Sequence, residues 1–252
     1  MIRILLIGCN GRMGQAITMA AKERDDLVIV AGLDIHPTNL NTYPIYADLT
    51  NVQEEVDVAI DFSHPSGARK ALDWAVARQV PIVMATTGLD AEQLASLRVA
   101  SEKTAVLRSA NMSVGVNLLI ELAQKAAKAL YRDWDIEIVE KHHNQKLDAP
   151  SGTALAIADA MNEAIDGVNM DYVNGRHGAN TKRTKTEIGI HAVRGGTIPG
   201  EHTVLFAGQD ELIELKHTAL SRSIFAEGAL AAARYLSGKG PGFYTMRDMF
   251  AD

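Results

Sequence analysis

The first fourteen residues constrain the fold of this chain more than any later stretch. Ile2–Ile7 is an unbroken apolar run that stops at glycine, the pattern of a strand buried on both faces of a parallel sheet. Residues 13–21 then carry helical spacing, and the turn between reads Gly8-Cys9-Asn10-Gly11-Arg12-Met13-Gly14. Glycine lets such a turn bend sharply and approach a pyrophosphate, whose charge then faces the N–H groups of the first helical turn. Gly14 permits close helix packing. The spacing is G-x-x-G-x-x-G, with Asn10 where the commonest dinucleotide fingerprint has glycine, and Asn tolerates a positive φ better than most residues. A lone glycine motif is weak evidence. Here a strand precedes it, a helix follows it, and Asp34 closes a second apolar run, Leu27–Leu33, 20 residues after Gly14. That is the position at which a ribose hydroxyl is bound. Asp34 favours NADH by charge, while His36 offers a partner for the 2′-phosphate of NADPH, so both cofactors stay open.

The alternation continues. Strand patterns at 56–62, 80–85 and 106–107 are separated by helical patterns at 66–78 and after Asp90, which with Gln93 forms a capping box. This predicts an α/β parallel sheet. From about residue 113 the pattern changes. A long helix over Val114–Leu130, a strand at 134–140 and a helix at 154–164 are followed by three strand patterns in succession, at 187–193, 203–206 and 212–217. Such a run predicts an open, largely antiparallel or mixed sheet. Residues 174–185, polar and basic, read as a mobile loop. A final helix at 221–236 is expected to pack back on the first domain. The expected organisation is a discontinuous dinucleotide-binding domain, 1–112 and 220–252, around an α+β substrate-binding and oligomerisation domain, 113–219.

The densest polar cluster runs from Glu140 to Ala154: E-K-H-H-N-Q-K-L-D-A-P-S-G-T-A. Ile136, Ile138, Glu140 and His142 share one face of a strand. The chain must then leave the strand near His143, which lets Lys146 fold back toward His142. Ser151 is a candidate N-cap, and the helix it starts presents N–H groups that suit an anion. His142 and Lys146 can supply a proton near neutral pH; His143, Lys146, Ser151, Gly152 and Thr153 can donate to carboxylates. A lone histidine here would read as a solvated strand end. Two adjacent histidines, a lysine and a helix-terminal cradle point instead to a site that binds carboxylates.

Composition narrows the classes. A net charge of −6 with no long Lys/Arg run argues against a nucleic-acid partner. The N-terminal apolar run is too short for a signal peptide, and none approaches the roughly 18 residues that span a bilayer. The single cysteine, Cys9, reads as a small filler in a tight turn, and no cysteine cluster has zinc spacing. The expectation is a cytoplasmic protein with no membrane partner and no metal.

The Glu140-to-Ala154 segment, with its H-H-x-x-K-x-D-A-P-S-G-T pattern, resembles the signature of the 4-hydroxy-tetrahydrodipicolinate (dihydrodipicolinate) reductase family of lysine and diaminopimelate biosynthesis. Residues 8–14, Asp61-Phe62-Ser63, Thr86-Thr87-Gly88, residues 109–117, Gly200-Glu201-His202 and Leu236-Ser237-Gly238-Lys239 also resemble family segments, in family order over nearly the whole chain. The resemblance implies a Rossmann-type domain, a substrate domain that builds a homotetramer, and NADH or NADPH as donor. It implies cofactor contacts from residues 8–14, Asp34, the loop of Ala85, Thr86 and Thr87, and the segment of Ser109, Ala110, Asn111 and Met112. His142 falls on the family's proton donor, Lys146 on its catalytic lysine, and His143, Gly152 and Thr153 on its carboxylate binders. The implied chemistry is hydride delivery to a conjugated cyclic imine with loss of the 4-hydroxyl as water. Two positions depart from the family pattern: Ala85 stands where a G-T-T loop has glycine, and Ile35-His36 replaces the arginine that often follows the acidic residue. Two other classes compete. A related nicotinamide oxidoreductase acting on another small acid shares the cofactor half and differs at the histidine–lysine segment; a non-catalytic dinucleotide sensor would need no proton donor.

Overall fold

The computed structural model describes residues 1–38 and 41–250; the last two residues assigned above to the first domain, 251–252, lie outside these. The chain divides into two compact units, Met1–Val114 with Ser223–Asp252, and Gly115–Arg222.

The first unit contains β1 (Ile2–Ile7), α1 (Arg12–Lys22), β2 (Leu27–Leu33), β3 (Ile45–Tyr46), β4 (Val58–Asp61), α2 (Pro65–Arg78), β5 (Ile82–Met84), α3 (Ala91–Ser101) and β6 (Ala105–Arg108). The second holds α4 (Val114–Leu130, whose first residue counts with the first unit), β7 (Asp135–His142), α5 (Gly152–Ala164), β8 (Asp171–Asn174), β9 (Glu187–Arg194), β10 (Gly200–Ala207) and β11 (Leu212–Ala219). The chain then returns to the first unit with α6 (Ser223–Leu236) and β12 (Gly242–Tyr244).

The first sheet is parallel throughout, ordered β12-β6-β5-β4-β1-β2-β3. Its central strands are buried on both faces, which is why β1 reads as a continuous apolar run. Ile4, Leu6, Val58 and Ile60 join a cluster with Ile17 of α1 and the small residues Ala226, Ala229, Ala232 and Ala233 of α6. Leu5, Ile7, Ala59, Ile82 and Met84 pack on the other side with Ala68, Leu72 and Ala75 of α2 and Leu97 of α3. The capping box at Asp90 and Gln93 is formed.

The second sheet is mixed, ordered β11-β10-β7-β9-β8, with antiparallel pairs β11–β10 and β10–β7 and parallel pairs β7–β9 and β9–β8. One face is covered by α4 and α5: Ile136, Ile138, Ile188, Ile190, Val204 and Phe206 pack with Val116, Ile120, Ile157 and Met161. The other face of β7 is charged. Glu137 accepts from Arg176, Arg183 and His191 at 2.6–2.8 Å. Glu201 pairs with Lys141 and Lys216, which hold its carboxyl down at about 2.

Three expectations need correction. The structure adds the short strands β3, β8 and β12, which the sequence reading did not include. The segment expected to be a loop over 174–185 begins inside β8, which ends at Asn174, and Arg176 and Arg183 tie the rest to Glu137, Glu187 and Asp135. Asn10 does not occupy a positive φ; in this turn Gly8 does, at 81°. Among the described residues no helix is long and apolar enough to cross a membrane, and no group of three His, Cys, Asp or Glu is placed to hold a metal ion.

Candidate active site

In the first unit, β2, β1, β4, β5 and β6 are neighbours in a parallel sheet, so the turns that follow them emerge on one edge. The strand order reverses between β1 and β4, the crevice at which open α/β sheets take ligands. A Cβ on Gly8 would sit 2.7 Å from the Phe62 carbonyl oxygen, so only glycine lets these two turns meet. A Cβ on Gly14 would run into the carbonyls of Gly8 and Cys9, so the turn lies directly on the start of α1. That helix begins at Gly11, exposed, with no side-chain cap and no acidic residue in its first turn. Its first N–H groups and the positive end of its dipole therefore suit a pyrophosphate. A dinucleotide fits the residues present.

Asp34 closes β2 and bonds back to the turn. Its Oδ2 accepts from Asn10 N at 3.0 Å and its Oδ1 from His36 N at 3.1 Å. Asn10 stands in the motif for its side chain: Nδ2 donates to the His36 carbonyl at 2.6 Å and reaches Thr38. Cys9 and Met112 bury their side chains in the core, so only their backbones can face a ligand. Burial raises the Cys9 thiol to about 12, in keeping with a filler. Ala85 and Thr86 are buried, Thr87 exposed, and Ala85 N donates to the Asp61 carbonyl. The segment after β6 is turned by Ser109 Oγ, which donates to Asn111 O at 2.6 Å, and Ala110 is exposed at its tip.

In the second unit the buried face of β7 ends in Glu140 and His142, and a carboxylate there needs cations and donors. It has four. Arg194, at the end of the neighbouring β9, binds it in bidentate fashion at 2.7 and 2.8 Å; His142 Nδ1 lies 2.6 Å from Oε2, and Ser151 N donates to Oε1 at 3.0 Å. Burial opposes ionisation of Glu140, but Arg194, His142 and Ser151 outweigh it and hold the carboxyl below its ordinary range. With Nδ1 engaged by Glu140, the His142 ring is held in one orientation and Nε2 is its remaining nitrogen. His202 of β10 meets the His142 ring edge-on, centroids 5.1 Å apart. Ser151 Oγ accepts from Ala154 N, as an N-cap should, so its own proton is directed to His202 Nε2, 3.0 Å away. Burial, then repulsion from His142, pushes His202 down to about 4.

Lys146, expected to fold back toward His142, ends 2.8 Å from Asp148 Oδ1, while Asp148 Oδ2 accepts from Gly152 N at 3.3 Å. Gly152 is exposed and Thr153 half-buried at the start of α5. Ser151 is a different case. It is 2% exposed and both its N–H and its hydroxyl serve the protein, so it builds the cradle and does not offer itself to a ligand. His143 lies just past the strand end, half-buried, its carbonyl accepting from Lys146 N.

Residues 2–112 match the family described as "Dihydrodipicolinate reductase, N-terminus", and residues 115–250 match "Dihydrodipicolinate reductase, C-terminus". The chain belongs to the dihydrodipicolinate reductase family. Over 99% of its length it is 51% identical to the 4-hydroxy-tetrahydrodipicolinate reductase of Caldanaerobacter subterraneus subsp. tengcongensis, covering 98% of that protein. It is 46% identical over 98% of its length to the one from Clostridium tetani, covering 96% of that protein. A dipicolinate-bound dihydrodipicolinate reductase from Paenisporosarcina sp. TG-14 matches at a TM-score of 0.82 and 25% identity over 97% of each chain. A myo-inositol dehydrogenase from Corynebacterium glutamicum, 17% identical at a TM-score of 0.56 over 99% of this chain and 92% of its own, shares the fold alone.

Sequence reasoning missed Arg194, named His202 only within a family-like segment without a role, and took no account of Asp148 or of the anchoring done by Glu140. One signal was available. Glu140 falls on the same alternation as Ile136, Ile138 and His142, and a carboxylate predicted on a buried strand face calls for an arginine.

Proposed function

We propose that this chain is an NAD(P)H-dependent 4-hydroxy-tetrahydrodipicolinate reductase, which converts 4-hydroxy-tetrahydrodipicolinate to tetrahydrodipicolinate with loss of water in lysine and diaminopimelate biosynthesis. The observation that carries this reading is a buried His142 anchored by Glu140, in one segment with Lys146 and the start of α5, in a chain of that family.

The dinucleotide is held in the first unit by residues 8–14, Asp34, the loop of Ala85, Thr86 and Thr87, and residues 109–112; when bound it supplies the hydride. In the second unit Lys146, Gly152, Thr153 and His143 hold the substrate carboxylates. Glu140 and Arg194 fix the His142 ring. Loss of the 4-hydroxyl as water, with a proton from the neighbouring ring carbon, gives the conjugated imine, and addition of hydride to it leaves an electron-rich enamine ring. The ammonium of Lys146 and protonated His142 stabilise that charge, and His142 Nε2 returns the proton. The protein works in the cytoplasm as a homotetramer. The edge strand β11, with Leu212 and Ile213 exposed, supports assembly through the second unit.

The test is a coupled assay that generates the unstable substrate in situ and follows nicotinamide absorbance with each cofactor. Oxidation of NADH or NADPH that depends on the generating enzyme is expected. Cofactor binding without any turnover would favour a sensor and sink the reading.

A further inference from the structure

Lys146 and the amide of Gly152 are the groups proposed to hold a substrate carboxylate, and a carboxylate is already on them. Asp148 Oδ1 lies 2.8 Å from Lys146 Nζ, and Asp148 Oδ2 accepts from Gly152 N at 3.3 Å. Both contacts are those a ligand carboxylate would make at a lysine and a helix start. The backbone of Asp148 is fixed, because its carbonyl accepts from Arg194 Nη2 at 2.6 Å. Its side chain is not enclosed: the side chain of Asp148 is 55% exposed, against 22% for Lys146. The carboxylate can therefore swing to water about its side-chain torsions while the loop stays in place.

Charge makes that movement necessary. Glu140 neutralises Arg194, and Asp148 neutralises Lys146. A dicarboxylate entering this arrangement would meet a fixed negative charge on the lysine that is to receive it. We propose that Asp148 is an internal stand-in for one substrate carboxylate, seated on Lys146 and Gly152 until the substrate displaces it, and that it sets the affinity and the carboxylate selectivity of the site. A ligand must offer a carboxylate good enough to replace one held at very high local concentration, so monocarboxylates and inorganic anions are kept off Lys146. This inference rests on the proposed substrate reading and adds a residue to it.

The experiment compares the full-length wild type with Asp148→Asn and Asp148→Ala. Calorimetry with dipicolinate in the presence of NADH gives affinity, and steady-state assays give KM and kcat separately. Removing the competitor should tighten dipicolinate and lower KM by about 3- to 10-fold, the range covered by a half-exposed ion pair and one amide hydrogen bond. Sulfate should inhibit both variants more strongly than wild type, and kcat should change less than KM. A kcat loss with unchanged dipicolinate affinity would make Asp148 a fixed positioner of Lys146 and overturn the proposal. Unchanged affinity, KM and sulfate inhibition in both variants would overturn it too. Failure of the wild type itself to bind dipicolinate or turn over would instead count against the substrate reading.

Discussion

Two helices of this chain begin beside proposed ligands, and they begin differently. Helix α1 starts at a bare glycine, with no side-chain cap. Helix α5 starts at Ser151, whose hydroxyl answers Ala154 N, while Asp148 answers Gly152 N. The first arrangement suits a ligand that brings two phosphates and is recognised by backbone, so nothing in the turn needs to move or titrate. The second is assembled from side chains around a buried carboxylate, and each member depends on another: Glu140 on Arg194, His142 on Glu140, Ser151 on His202. A backbone site tolerates side-chain change and fails when a Cβ is added. A side-chain site fails one residue at a time.

The largest effect should come from breaking the second site alone. His142→Gln and Lys146→Ala are each expected to lower kcat by about 10²- to 10⁴-fold, the usual contribution of a placed proton donor or charge. NADH affinity, read by fluorescence titration, should stay within about 2-fold. Normal turnover in both variants would remove these residues from the chemistry. The reverse experiment is Gly8→Ala. The new Cβ would sit at a φ of 81° and 2.7 Å from the Phe62 carbonyl oxygen, and the strain and contact together should cost about 3 kcal/mol. Thermal unfolding should show that loss, and NADH binding should weaken with it. A variant as stable and as tight as wild type would mean the turn does not need glycine there.

This contrast also explains what could be read from the residues alone. The whole of α1 and its turn is local, so strand, glycines, helix and Asp34 were legible within 34 positions. Helix α4 was readable end to end because its apolar face repeats over 17 residues. The second site is legible only in its contiguous part. Glu140 and Arg194 are 54 positions apart, and Ser151 and His202 are 51 apart. Those pairings follow from the order β10-β7-β9, which no local pattern encodes. The physical role of Asn10 was misjudged for a related reason: its partners lie 26 and 28 positions on, and backbone tolerance was the only local argument available.

A smaller effect tests whether the α5 network is held by a neutral His202. In the folded chain burial lowers this histidine to about 4, against 6.5 for the free side chain. Between those values the unfolded chain takes up a proton that the folded chain refuses, so stability rises with pH across the window. The contribution is complete above pH 6.5, declines as pH falls, and is gone below about 4; its full size is about 3 kcal/mol. Glu140, His142, His217 and Lys146 also face His202 and remain in the variant. His202→Asn should therefore show a flatter dependence of Tm on pH from 6.5 to 4 than wild type. Parallel profiles would mean that the ring is protonated in place and that Ser151 is oriented by something else.

The smallest effect separates the cofactors at the first site. Asp34 fixes the turn through Asn10 N and the following chain through His36 N, and in the proposed reading it also takes the ribose hydroxyl. A 2′-phosphate brought there meets repulsion that a hydroxyl does not, while the exposed His36 can meet it with a donor. Asp34→Ala removes the acceptor for the NADH ribose and the repulsion toward NADPH together. The NADH Kd should rise about 10-fold, as for loss of one hydrogen bond to a charged group. The NADPH Kd should change by less, because the lost turn contacts are offset by the lost repulsion. Equal weakening of both would show that Asp34 acts only by holding the turn and that the ribose lies elsewhere.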